Sequence, residues 1–213
     1  MRFLALACAV LSAGSAHAAS ISVESTGPDK PAVVVVQGSF ETKDGDQFFT
    51  KTASLAAALV RLESNGGSLV AGIQIGETIR LKGLHTLVPA GARCASACAM
   101  AWLGGTQRFM GPGARIGLHS AYNANSEQGT GVANALLGAY LNRVGLPYSA
   151  VIYIAQGVPQ SITWLSIADA KRLGIEVSPL DSAVPTFEAR AQTPARTLPA
   201  SPAATPPPLW QVP

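Results

Sequence analysis

The sequence predicts a single α/β domain, and the alternation of two kinds of segment carries this prediction. Between residues 19 and 184, short apolar runs alternate with glycine-rich turns and with segments of helical periodicity. Val33 to Val36 is an unbroken β-branched run, typical of a strand buried on both faces. Val70 to Leu81 has the apolar spacing of an amphipathic helix. This length of chain is enough to enclose a core of ordinary size.

The remaining elements follow from the same patterns. Thr50 to Leu62 has helical character, with a strand expected near Leu59 to Glu63, and Gly45 is expected to break the segment before it. Short strands are predicted at His85 to Val88 and Arg115 to His119. Helices are predicted at Ala95 to Leu103, Val132 to Val144, Ser149 to Ala155 and Ala168 to Leu173.

The first 18 residues have the layout of a secretory signal peptide. A positive start at Arg2 is followed by the apolar run Phe3 to Leu11 and by Ala16-His17-Ala18. The apolar run is too short for a transmembrane helix, and we expect cleavage after Ala18. The predicted location is therefore the periplasm or the exterior of the cell, with no membrane attachment after cleavage.

The last segment, residues 185–213, is rich in proline and alanine. Such a composition cannot bury enough apolar surface to fold, so we expect an extended or disordered tail.

Charge excludes one class of partner. Without Arg2, 14 of the 15 basic residues remain against 12 acidic ones, and they are scattered. That balance argues against a nucleic-acid partner. The mature chain has two histidines, His85 and His119, and only these can join its cysteines, so we expect no metal site. We also expect no cofactor.

Two cysteines remain once Cys8 has left with the signal. Cys94 and Cys98 would lie in an oxidising compartment, where an even pair favours a disulfide. Two residues four apart inside a regular helix place their Cβ atoms too far apart for a relaxed bridge. A disulfide therefore requires Cys94 to lie in the turn before the helix. The alternative is a pair of small buried thiols.

Ser96 begins a helix of small residues, within Cys94-Ala95-Ser96-Ala97-Cys98. A hydroxyl at that position lies near backbone N–H donors that stabilise an oxyanion. The alternative is an ordinary helix N-cap. Asn65-Gly66-Gly67-Ser68 supplies a flexible turn whose N–H groups are suited to the same anion, or is a plain turn.

His119 ends a predicted strand and is suited to act as a general base to a serine, or as a structural histidine. His85, beside Leu84 and Leu87, is interpreted as structural. Each of these signals is weak alone. Their order along the chain is informative: a glycine turn, then a serine at a helix start, then a histidine at a strand end.

These segments resemble the proteolytic subunit of Clp protease. Ser64-Asn65-Gly66-Gly67-Ser68 resembles its glycine loop, and Ala95-Ser96-Ala97 its nucleophile segment. Ile116-Gly117-Leu118-His119 resembles its histidine segment, and Lys171-Arg172-Leu173-Gly174-Ile175 the end of its last conserved helix. The resemblance spans about residues 33–177. It is closest to predicted periplasmic Clp-like proteins of bacteria, which share the Cys-x-Ser-x-Cys arrangement.

The resemblance implies the Clp/crotonase spiral of repeated ββα units. It implies Ser96 as nucleophile, His119 as general base, and the N–H groups of Gly67 and Ala97 as oxyanion hole. One departure stands out: the family places the acid of its triad just before the last helix, and Pro159 to Leu165 contains no carboxylate. Asp169 and Asp181 follow, Asp169 inside a predicted helix, so Ser161, Thr163 or a backbone carbonyl is left to orient His119.

The leading hypothesis is an exported serine peptidase-like hydrolase that forms an acyl-enzyme on Ser96 and works without ATP. Its substrates would be peptides or unfolded chains, and the resemblance implies a homo-oligomer. The first alternative is a catalytically weak or inactive peptide-binding module. The second is a crotonase-like enzyme acting on acyl thioesters.

Overall fold

The computed structural model describes residues 18–27, 30–122, 130–158 and 161–180. Of the predicted signal peptide only Ala18 is among them. The predicted tail, Asp181, Pro159 and Gln160 lie outside the described residues. In the ranges that are described, no helix combines the length and apolarity needed to cross a membrane.

Nine strands and six helices make up the described part of the chain. The strands are β1 Ser20–Glu24, β2 Ala32–Gln37, β3 Ala58–Glu63, β4 His85–Val88, β5 Arg93–Ala95, β6 Arg108–Met110, β7 Arg115–Leu118, β8 Thr163–Leu165 and β9 Ser178–Pro179. The helices are α1 Asp44–Thr52, α2 Leu69–Leu81, α3 Ala97–Leu103, α4 Gly131–Arg143, α5 Tyr148–Ala155 and α6 Ile167–Leu173.

A six-stranded sheet forms the body of the domain, in the order β1-β2-β3-β4-β6-β9. Its strands are parallel except for β1, which pairs antiparallel with β2 at one edge. Val34, Val36, Val60 and Leu62 are completely buried. A parallel sheet covered by helices buries both faces, which explains the continuous β-branched run of β2.

A second sheet of three short strands, β5-β7-β8, positions the residues of interest. β5 and β7 are parallel, with Ala95 opposite Gly117. β8 runs antiparallel to β7, with Thr163 opposite Leu118. The segments β4-β5-α3 and β6-β7-α4 are two ββα units in chain order, and in each unit the second strand joins the small sheet.

Helix α3 lies at the centre of the molecule, and all seven of its residues are buried. It approaches α2 closely because glycines face it: a Cβ on Gly72 would lie 2.2 Å from the Ala97 carbonyl oxygen. From α4, the Tyr140 hydroxyl donates a 2.7 Å hydrogen bond to the Met100 carbonyl. Burial of this hydroxyl raises the pKa of Tyr140. Helix α3 is thus held from two sides, by α2 and by α4.

Three local predictions were wrong. Gly45 does not break the chain but lies inside α1, which begins at Asp44 rather than near Thr50. A Cβ on Gly45 would fall 2.1 Å from the Gln74 side chain, so glycine permits the close approach of α1 to α2. Ala95 belongs to β5 and not to the helix that follows.

The strands β1, β5, β6, β8 and β9 were not predicted. Four of them have three residues or fewer and are too short to show a periodicity, whereas the fifth, β1, is a five-residue strand at a sheet edge. Their strand conformation depends on the partner with which each pairs.

Candidate active site

Ser96 occupies a sharp turn between β5 and α3. Its backbone has φ 56° and ψ −125°, and among the described residues it alone combines a side chain with a positive φ. Its N–H donates to the Gly117 carbonyl at 2.8 Å. Although Ser96 stands at the N-cap position, its side chain makes no capping hydrogen bond. A strained serine between strand and helix, with its hydroxyl left uncommitted, is the arrangement of many nucleophiles.

A disulfide joins Cys94 to Cys98 on either side of this serine, with a Cα–Cα distance of 5.2 Å. Cys94 lies on strand β5 and not in a turn as predicted, but it precedes α3, whose first turn contains Cys98. Both cysteines are completely buried. The bond ties the end of the strand to the beginning of the helix around Ser96.

The glycine turn rests directly on the serine. A Cβ on Gly66 would lie 2.7 Å from both Ser96 Cβ and the Ala95 carbonyl oxygen, and Gly66 has φ +99°. Both the contact and the backbone conformation require glycine. Phe40 holds the turn from the other side: its N–H donates to the Gly66 carbonyl, and its carbonyl accepts from Ser68 N–H, each at 2.8 Å.

Two backbone N–H groups beside Ser96 are left without acceptors. In the part of the chain that the structure describes, neither Gly67 N–H nor Ala97 N–H donates a hydrogen bond. The Cβ position of Gly66 lies 3.0 Å from Ala97 N, so the glycine turn and the start of α3 meet at this point. Free, fixed donors of this kind are what an oxyanion requires.

His119 lies one residue beyond β7. Because Ala95 is opposite Gly117 in parallel strands, Ser96 and His119 follow the carboxyl ends of neighbouring strands. The His119 ring is half-buried. Within the described residues, no hydrogen bond joins the Ser96 hydroxyl to this ring. Such bonds are often long in the absence of substrate.

The carbonyl of Ser120 orients the histidine. It lies 2.7 Å from His119 Nδ1. A carbonyl only accepts, so this contact assigns the proton to Nδ1 and leaves the Nε2 lone pair available to a serine. The Tyr122 ring packs against the imidazole at a centroid distance of 5.3 Å. Of the groups that the sequence left open, a backbone carbonyl hydrogen-bonds to His119, whereas among the described residues neither Ser161 nor Thr163 does.

Asp169 serves the helix and not the histidine. Its carboxylate completes a capping box with Ser166 and pairs with Arg172 at 2.8 Å. The hydrogen bond from Arg172, followed by those from Ser166, lowers the pKa of Asp169 to about 2. A Cβ on Gly117 would lie 2.7 Å from the Ile162 side chain and 2.9 Å from those of Ala95 and Trp164. Continued by one residue, the antiparallel register of β7 and β8 places Ile162 opposite His119.

His85 has a structural environment. Its Nδ1 lies 3.0 Å from the Thr106 hydroxyl, and its ring meets the Phe109 ring edge to face. Burial lowers the pKa of His85. Among the described residues, no three His, Cys, Asp or Glu side chains are grouped as a metal site would need.

Sequence reasoning missed the residues that hold the glycine turn. The buried Ser64 hydroxyl accepts from Gly66 N–H at 2.9 Å and donates to the Gly38 carbonyl at 2.5 Å. In the sequence, the position of Ser64 next to the glycine turn could have indicated its role. Nothing in the sequence indicated a role for Phe40. Beside them is a polar cleft of about 230 Å³, lined by Gly38, Ser39, Glu63, Ser64, Asn65 and Arg93.

Comparison with known proteins gives relatives in structure only. No protein-family model and no curated protein matches the chain. Among solved structures, ClpP1 from Listeria monocytogenes matches with a TM-score of 0.54 and 18% identity, covering 70% of this chain and 92% of that one. A point mutant of that ClpP1 gives 0.51 and 18%, covering 70% and 91%. The chain has a ClpP-like fold.

A third solved structure is a mutant of the 1510-N membrane-bound stomatin-specific protease. It has a TM-score of 0.48 and 19% identity, covering 68% of this chain and 77% of that one. At such identities, likeness in structure establishes the fold alone. The chemistry of Ser96 and His119 therefore has to be argued from their own surroundings.

Proposed function

We propose that this protein is a serine peptidase-like hydrolase that acts outside the cytoplasm, without ATP, through an acyl-enzyme on Ser96. The observation that carries the proposal is the setting of this serine. In the described part of the chain, it combines a strained turn, a hydroxyl without a hydrogen bond and two N–H groups without acceptors on adjacent backbone. A purely structural serine does not require all three.

In the proposed reaction, the Ser96 hydroxyl attacks a substrate carbonyl while His119 Nε2 takes its proton. The negative charge on the carbonyl oxygen is stabilised by the N–H groups of Gly67 and Ala97. His119 then protonates the leaving amine, and a water molecule, deprotonated by the same nitrogen, hydrolyses the acyl-enzyme.

The expected rate is low. A catalytic histidine normally faces a carboxylate that stabilises its cation, and loss of that acid costs on the order of 10⁴-fold in rate. Here a neutral carbonyl occupies the position at Nδ1. It fixes the tautomer but supplies no full charge. We therefore propose a slow hydrolase of peptides or unfolded chains, assembled as a homo-oligomer.

One observation favours a second function, an inactive peptide-binding module. The Ser96 hydroxyl and the His119 ring share no hydrogen bond in the described structure, and no carboxylate backs the ring. In that case the unused N–H groups and the polar cleft would bind a peptide without cleaving it.

A fluorophosphonate probe separates the two functions. The chain from Ala19 onward is treated with the probe beside the variants Ser96→Ala and His119→Ala, and mass spectrometry locates the label. The peptidase proposal expects labelling of Ser96 that is absent from Ser96→Ala and at least about 10²-fold slower in His119→Ala. Absence of labelling in a folded wild-type protein would favour the binding module.

A further inference from the structure

Asp44 is a buried carboxylate whose two oxygens differ in their hydrogen bonds. It is the first residue of α1 and is completely buried. Oδ2 accepts hydrogen bonds from Glu41 N–H at 2.7 Å and from Ala19 N–H at 3.2 Å. Oδ1 has no partner among the described residues. No ion pair of the described chain reaches Asp44. Burial of an ionised carboxylate without a counter-charge costs free energy, so a cation next to Asp44 would stabilise this site.

The nearest backbone nitrogen that can become charged is the one already in contact. Ala19 is buried, whereas Ala18 before it is exposed. The proposed signal cleavage falls between these two residues. Hydrolysis there adds the hydroxyl of water to the Ala18 carbonyl carbon and a hydrogen to the Ala19 nitrogen. At neutral pH that amine takes a further proton and becomes an ammonium with three N–H donors.

We propose that the N-terminal ammonium of the mature chain, at Ala19, is bound by Asp44 as a buried ion pair. The inference rests on the proposed export and on cleavage after Ala18. One N–H keeps the bond to Oδ2, and another is available to Oδ1. Processing thus converts a single amide contact into a charged pair with both carboxylate oxygens engaged.

The pair has a consequence for the candidate active site. The same Oδ2 accepts from Glu41, the residue after Phe40. Phe40 in turn forms backbone hydrogen bonds with Gly66 and Ser68, the residues on either side of Gly67. Fixing Asp44 therefore fastens the segment that holds the glycine turn against Ser96. Removal of the signal would stabilise one of the two proposed oxyanion donors.

The test starts with the exported full-length protein, whose N-terminal residue is read by mass spectrometry and is expected to be Ala19. Three further chains are then compared: one released from a fusion directly before Ala19, one released before Ala18, and the Ala19 chain carrying Asp44→Asn. Asp46→Asn, an exposed carboxylate on the same helix, is the matched control.

Three readouts are expected to agree. The amine of the Ala19 chain should react with an acylating reagent at least about 10-fold more slowly than that of the Ala18 chain, because it is buried and charged. Asp44→Asn should abolish this protection and lower the thermal midpoint by about 6 °C or more, whereas Asp46→Asn should change neither. Hydrogen exchange of residues 64–68 should accelerate in Asp44→Asn.

Several results would overturn the inference: an exported chain that begins elsewhere, an Ala19 amine as reactive as that of the Ala18 chain, equal midpoints for Asp44→Asn and Asp46→Asn, or unchanged exchange at residues 64–68. If Asp44→Asn does not fold, amine reactivity of the Ala19 and Ala18 chains still decides the matter, since both keep Asp44. None of these readouts uses labelling of Ser96, so failure of the peptidase proposal is seen separately.

Discussion

Ser96 and His119 follow neighbouring strands of one small sheet, yet their surroundings differ in construction. The serine half is held by the disulfide, by the buried helix α3 and by a glycine turn, and it consists of Gly66, Gly67, Cys94, Ser96, Ala97 and Cys98. The histidine half has a ring that lies half-buried at a strand end, oriented by one carbonyl and one aromatic neighbour.

The difference separates two contributions to catalysis that usually occur together. Stabilisation of an oxyanion depends on rigid donors, and the serine half has two N–H groups without acceptors among the described residues. Proton transfer depends on a histidine whose cation is stabilised, and among the described residues no charged group forms a hydrogen bond or ion pair with His119. Under the proposed mechanism we therefore expect slow turnover, limited by proton transfer and not by stabilisation of the oxyanion.

The largest effect should come from Gly66→Ala. The added methyl group would meet the Ala95 carbonyl and Ser96 itself, forcing the glycine turn away from the serine. Because removal of one oxyanion donor costs about 10² to 10³ in rate, we expect probe labelling of Ser96 to slow by at least about 10²-fold.

Gly27→Ala is the matched control for Gly66→Ala. Gly27 also has a positive φ, +128°, but its Cβ position has no neighbour within 4 Å. The control should therefore label at the wild-type rate. Equal labelling of the two variants would mean that the glycine turn does not shape the serine half.

Loss of the disulfide should have the next largest effect. Replacing Cys94 and Cys98 together by alanine removes a short covalent loop, which the chain-entropy relation values at about 2 kcal/mol. We expect the midpoint of thermal unfolding to fall by about 4 to 8 °C. Reduction of the wild-type protein is the control that separates the cross-link from the change of side chains. An unchanged midpoint in both cases would show that α3 is fixed by packing alone.

A carboxylate placed next to the histidine should have the opposite effect and should speed up probe labelling of Ser96. Continuation of the β7-β8 register places Ile162 opposite His119, and Ile162 is 41% exposed, so a charged replacement is tolerable there. We expect Ile162→Asp to accelerate labelling of Ser96 by about 10-fold, since it supplies part of what the missing acid would contribute. Ile162→Asn is the uncharged control. If both variants label alike, charge at the histidine is not what limits the site.

The smallest effect concerns Asp169, which we assign to α6 alone. Its pKa is lowered to about 2, so its contribution to stability is present above its ordinary pKa and is lost as the pH falls through 2. Asp169→Asn should lower the thermal midpoint by only about 2 °C at neutral pH, because its side chain is 32% exposed and its partner Arg172 is 64% exposed, so solvent screens the pair. That difference should shrink between pH 4 and pH 2. Slower labelling of Ser96 in this variant would instead tie Asp169 to the site.

The sequence alone determined the α/β class, because apolar runs and helical apolar spacing can be recognised without knowledge of tertiary contacts. β2, α2 and β4 were predicted nearly as they occur, since β2 and β4 are continuous apolar runs and α2 has helical apolar spacing. The order of glycine turn, serine and histidine was also readable, because each needs a particular residue type. Whether those residues act in catalysis remains a prediction, as do export and the oligomer.

Tertiary structure alone decided what each of these residues contacts. The position of β5 depends on pairing with β7, and the strained turn at Ser96 follows from that pairing and from the buried α3. The contact of Phe40 with Gly67 and that of Ala19 with Asp44 join residues 27 and 25 positions apart. No local pattern records such contacts, because they depend on how the sheets and helices pack and not on the propensity of any segment.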